Sequence, residues 1–80
     1  MPAPVTYYIV AAISRVTFQQ SYYTGYVAQV TYSQYSIENK WSVERRFATR
    51  FTQYDLARKI ADKFLGENNL MDFLVLEERD

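Results

Sequence analysis

The side chains that most often carry out catalysis are missing from this chain. Its 80 residues contain neither histidine nor cysteine. That removes Ser-His-Asp and Cys-His nucleophilic schemes, imidazole and thiolate metal sites, and the commonest general base. The carboxylates Glu38, Glu44, Asp55 and Asp62 remain. None lies in an apolar run that would raise its pKa, and none shows a metal-ligand spacing. With only Gly25 and Gly66, no glycine-rich phosphate loop can form. The composition therefore predicts no catalytic residue, no metal and no cofactor. The expected role is binding rather than turnover.

Two groups of residues are suited to binding. Arg45, Arg46 and Arg50 are interleaved with Trp41, Phe47 and Phe51. Guanidinium groups can contact phosphates and aromatic rings can stack on bases, a combination that suits single-stranded nucleic acid. Against it stands a balanced charge, with nine basic and nine acidic residues, which gives no general attraction to a polyanion. In the plainer reading, Arg46 faces solvent, Arg45 lies along the sheet edge, and Trp41 and Phe47 are core.

The second group is larger. Between Met1 and Ser36 the only charged side chain is Arg15, yet Tyr7, Tyr8, Tyr22, Tyr23, Tyr26, Tyr32 and Tyr35 all fall there. Tyrosine among serine, threonine and glutamine makes a surface that desolvates readily and keeps hydrogen-bonding tips. Interface cores are likewise depleted in charge. Tyr8, Tyr22, Tyr23, Tyr26, Tyr32 and Tyr35 are the expected protein-binding residues, although high β-propensity alone would also place tyrosine here.

The elements that must position these residues are legible in outline. Val5–Ile13 is β-branched and aromatic and predicts a first strand, with a possible continuation past a bend at Ser14-Arg15 into Val16-Thr17-Phe18. Unpaired, Tyr7–Ile13 would be an aggregation-prone edge. Tyr22–Ser33 alternates as a second strand, with Gly25 marking a bulge or a close backbone approach. A polar loop turns at Glu38-Asn39-Lys40, and Trp41–Ala48 alternates as a third strand.

Next, Thr52-Gln-Tyr-Asp55 has the form of a capping box. Leu56, Ala57, Ile60, Ala61, Phe64 and Leu65 follow at helical spacing, and Gly66 suits the left-handed position that ends a helix. Leu70–Leu76 is apolar on both faces, as in a strand inside a sheet, and Glu77–Asp80 reads as a solvated tail. The expected fold is one α+β domain over residues 1–80. It has a mostly antiparallel four-stranded sheet with one helix packed on one face, in the order β-β-β-α-β. One helix covers one face only, so the other is solvated, covered by the N-terminal segment, or buried against a partner or a second copy as a homodimer. No run is long enough for a membrane span and none reads as a signal peptide, so no membrane association and a cytoplasmic location are expected.

Tyr22-Tyr-Thr-Gly-Tyr26, Lys40-Trp41, Arg46-Phe-Ala-Thr-Arg-Phe51 and Tyr54-Asp-Leu-Ala-Arg-Lys-Ile-Ala61 together resemble a pattern of small phage and prophage proteins. In these a hairpin leads through an A-x-x-F step, here Ala48–Phe51, into a short helix and a final strand. The resemblance spans roughly residues 22–76. Some small phage proteins inhibit host or defence proteins by stoichiometric binding, so the resemblance implies that possibility without assigning residues to it.

Overall fold

A computed structural model describes residues 5–79. The elements are β1 (Thr6–Ser14), β2 (Gln20–Tyr23), β3 (Val27–Gln29), β4 (Tyr35–Ile37), β5 (Trp41–Ser42), a 3₁₀ turn (Arg45–Phe47), α1 (Tyr54–Glu67) and β6 (Met71–Arg79). The main sheet has four strands in the order β5-β2-β1-β6, every pair antiparallel. Strands β3 and β4 form a separate two-stranded hairpin. With its single helix on one face of the main sheet, this is the expected α+β domain.

Strand β1 is central. It pairs with β6 along its whole length, from Thr6↔Arg79 to Ser14↔Met71, and with β2 over Ala11–Ile13. Its alternation splits the core in two. Val10 and Ala12 face the helix with Phe73, Tyr23, Ala57, Ile60, Ala61 and Phe64. Ile9 and Ala11 face the other way with Tyr22, and Leu76, Tyr7 and Ala48 pack against them. The small Ala11 and Ala12 let both layers approach the middle strand.

Strand β2 is shorter than its sequence suggests. The alternation of Tyr22–Ser33 predicts one strand, but the chain leaves the sheet after Tyr23 and forms the β3–β4 hairpin. Gly25 accounts for the departure. A Cβ there would lie 2.6 Å from both the Glu38 carbonyl oxygen and the Tyr23 hydroxyl, so only glycine admits this close passage. The vacated place beside β1 is taken by a later segment. Thr49 N–H donates to the Tyr23 carbonyl at 2.8 Å, and Phe51 and Tyr8 exchange backbone hydrogen bonds of 2.7 and 2.8 Å. Two stretches distant in sequence thus run end to end along β1.

The third predicted strand is also truncated. Only Trp41 and Ser42 pair with β2. Ser42 Oγ accepts from the Glu44 N–H at 3.1 Å, and the chain turns through Arg45–Phe47 instead of extending. A β2 of four residues offers no further ladder. The turn crosses the sheet face away from the helix, so Ala48 and the Arg45 side chain cover Ile9 and Tyr22. The chain itself covers part of the second face.

Helix α1 keeps its predicted interior, with Ala57, Ile60, Ala61 and Phe64 buried. Leu65 is exposed. The capping box does not form: Gln53 is the N-cap residue and no side chain caps the helix. Phe51 is held in its bridge to Tyr8, so the helix starts beyond the position Thr52 would cap. Gly66 lies inside the helix, which ends at Asn68 in extended conformation with its N–H donating to the Phe64 carbonyl. No basic residue lies in the last turn.

Two further expectations are corrected. The stretch Val16–Phe18 does not extend β1 but makes a tight turn, with the Phe18 N–H donating to Ser14 O at 2.9 Å and Phe18 at φ 62°. Strand β6 lies at the sheet edge, not inside, and continues through Glu77 and Glu78 to Arg79. It is apolar on both faces because Phe73 and Val75 meet the helix layer while Leu76 joins the cluster beneath.

Candidate functional site

The predicted tyrosines separate into two groups. Tyr23 is fully buried and stands at the centre of an aromatic cluster, 5.3 Å from Trp41, 6.2 Å from Phe51 and 5.9 Å from Phe64 between ring centroids. Tyr22 is buried on the opposite face, beneath the Arg45 guanidinium. Tyr8 is half-buried and meets Tyr54 edge to face at 5.6 Å. These three hold the fold together and leave little for a partner to touch.

Tyr26, Tyr32 and Tyr35 lie on the hairpin. Tyr32 is 96% exposed at its tip and Tyr26 is 73% exposed near its base. Tyr35 is half-buried, with the Lys59 ammonium 4.7 Å from its ring centroid. The tyrosine surface therefore belongs to a projecting arm, not to the main sheet.

The arm is built from short-range pairing on a fixed base. Val27↔Ile37, Ala28↔Ser36 and Gln29↔Tyr35 set the register. At the tip, Val30 N–H donates to Gln34 O at 2.9 Å and Gln29 Nε2 donates to Tyr32 O at 3.3 Å. At the base, Thr24 N–H donates to Lys40 O at 2.9 Å, Thr49 Oγ1 donates to Gly25 O at 2.7 Å, and the Tyr23 hydroxyl donates to Glu38 O at 2.5 Å. Burial, reinforced by the Glu38 carboxylate, pushes the Tyr23 phenol up to about 12. It stays protonated and keeps donating at neutral pH.

No charged residue occurs from Gly25 to Ile37. The exposed part of the arm is instead Tyr26, Gln29, Val30, Thr31, Tyr32, Ser33, Gln34 and Ser36, so a partner could dry it without desolvating an ion. Val30, 65% exposed beside Tyr32, was not among the residues that composition singled out. Its alternation with the tyrosines was readable, but alternation alone does not distinguish a projecting hairpin from a buried strand.

The arginines are brought together on the sheet face opposite the helix. Arg45, Arg46 and Arg50 line a cleft of about 290 Å³ with Tyr7, Ile9, Ala48 and Glu78. Arg45 is ion-paired with Glu78 and lies 5.8 Å from the Tyr22 ring centroid. Arg50 sits 4.5 Å over Tyr7. Arg46 is 3.7 Å from Glu44 and 4.9 Å over Phe47. Phe47 is 58% exposed rather than core, whereas Phe51 is buried and unavailable for stacking. The cleft is basic, but Arg45 and Arg46 are already met by Glu78 and Glu44, and Arg50 is engaged as well.

The carboxylates are dispersed. Asp62 pairs with Arg58, Asp72 with Arg15, and Glu67 with Lys63, all on exposed surface. Among the described residues no group of acids is arranged to hold a metal ion, and no helix is long and apolar enough to cross a membrane. No family model, curated protein or solved structure matches the chain.

Proposed function

We propose that this domain is a non-enzymatic binding module that engages a protein partner stoichiometrically through the β3–β4 arm. One observation carries the reading: an uncharged, tyrosine-bearing hairpin projects from the sheet with Tyr32 96% exposed. Tyrosine supplies large contact area with only two side-chain torsions to freeze, and its hydroxyl retains a polar contact after burial. Hot spots favour tyrosine for the same reasons. Inhibition of a larger host or defence protein is one use of such a contact, and pairing with a second copy is another.

Affinity capture from a lysate of the producing cell, with and without nuclease, tests this reading alongside Tyr26→Ala, Tyr32→Ala and Arg46→Ala variants. A nuclease-resistant partner, lost with the tyrosine variants and retained by Arg46→Ala, is the expected result. Capture of nucleic acid alone, lost with Arg46→Ala, would transfer the function to the arginine cleft. Such a complex would also weaken steeply with salt.

A further inference from the structure

The helix covers the sheet incompletely, and the part left open is chemically specific. A cleft of about 420 Å³ lies beyond the C-terminal end of α1. Ala12 and Ser21, directly paired across β1 and β2, line it with side chains too small to fill it. Trp41, Phe64, Met71 and Phe73 supply its apolar lining. Trp41 and Phe64 pack edge to face, 5.3 Å between centroids with their planes 80° apart, so the aromatic lining is rigid. The indole is held in place by its N–H, which donates to Asn39 Oδ1 at 2.9 Å.

Three features of this cleft favour positive charge. Aromatic faces attract cations through their quadrupole. Glu67 lines the cleft and brings a carboxylate to it. The cleft lies at the negative end of the helix dipole. The chain already places one ammonium there: Lys63 Nζ lies 2.6 Å from Glu67 Oε1 and 5.0 Å from the Phe64 ring centroid. Lys63 does not itself line the cleft, so it stands as a competitor beside an open site.

We propose that the cleft bounded by Trp41, Phe64, Phe73 and Glu67 binds a small organic ammonium ion, its charge toward Glu67 and its apolar groups against the rings. This site is separate from the exposed tip of the arm and does not depend on the function proposed for it.

Choline is a suitable probe, with dimethylbutanol, in which carbon replaces the nitrogen, as its neutral isostere. Trp41 is the only tryptophan, so its emission and its single indole N–H resonance report directly on the cleft. Choline is expected to shift both saturably, with dimethylbutanol about tenfold weaker or more, as a desolvated cation–π contact would give. Glu67→Gln should weaken choline about three- to tenfold, and Lys63→Gln should strengthen it severalfold by removing the competitor. Both positions are exposed, so the variants should fold. Equal binding of the two probes, no saturable response to choline, or variant effects of the same sign would each overturn the proposal.

Discussion

The Tyr23 phenol, in the middle of the core, donates at 2.5 Å to the backbone carbonyl of Glu38 at the base of the exposed arm. A single hydrogen bond thus joins the most buried aromatic ring of the domain to the segment proposed to meet a partner. Glu38 returns the connection, its carboxylate accepting from the Tyr26 N–H at 3.2 Å and its own N–H donating to the Tyr26 carbonyl.

Tyr23 makes stability sensitive to alkali. The folded state holds the phenol protonated up to about 12, against an ordinary value of 10.0. Between those values the unfolded chain releases the proton first, so stability is fully present below about pH 10 and falls as pH rises toward 12. Urea melts across this range should show the decline. Tyr23→Phe should remove the Tyr23 part of it while costing about 1 kcal/mol at neutral pH through the lost hydrogen bond.

Gly25→Ala should be more damaging than the exposure of the adjacent Tyr26 suggests. The new methyl would sit 2.6 Å from a backbone oxygen and from the Tyr23 hydroxyl, so either the ring or the arm must move. A loss of about 1–3 kcal/mol is expected by chemical denaturation. A change within about 0.5 kcal/mol, the range of an ordinary surface substitution, would show that the base accommodates the methyl.

Phe18 presents the opposite case. It adopts φ 62° with 78% of its surface exposed, a conformation that is costly for a bulky residue and uncompensated by burial. Phe18→Gly should raise the unfolding free energy by up to about 1 kcal/mol, the relief of the left-handed strain being partly offset by glycine's entropy in the unfolded chain. A melting temperature below that of the parent would contradict this account.

Removing Arg45 should expose the dependence of Glu78 on it. The Glu78 side chain is 25% exposed and ion-paired with Arg45. Arg45→Ala should cost about 1 kcal/mol, and Arg45→Ala with Glu78→Gln less than the sum of the two. A double-mutant cycle at low and high salt measures this coupling, and strict additivity would show that the pair contributes nothing.

The sequence announces elements better than it announces their ends. The periodicity of Leu56 to Phe64 marks the helix, and the apolar run through Ile9 and Val10 marks the central strand, because each pattern reflects a face that the fold buries. The alternation overextends the second strand for an identifiable reason. Tyr22 through Tyr32 alternate without interruption, and only the clearance around Gly25, which depends on where Glu38 and Tyr23 end up, breaks the strand at Tyr23. The segment from Arg45 to Ala48 also alternates, but no partner strand remains to receive it. Likewise, β6 has strand β1 on one side only; its Phe73 and Val75 are covered by the helix layer and Leu76 packs in the second cluster, while Leu74 stays exposed. Of the candidate site residues, composition pointed to the tyrosines as a class. Which ones face solvent depends on where the chain leaves the sheet, and no local pattern carries that information.

The substitution of Thr49–Phe51 for the continuation of β2 has a consequence for variation. Because the ladder along β1 is completed by a later stretch of chain, everything between Thr24 and Lys40 is a detour that starts and finishes at one place, where Thr24 N–H meets Lys40 O. The distal part, Ala28 to Ser36, has no residue in either core cluster. Its length and side chains can therefore change with little effect on the barrier that keeps the domain folded. Under the proposed binding role, selection for a new target would act on the loop as on an exchangeable tool head, with the handle left as it is.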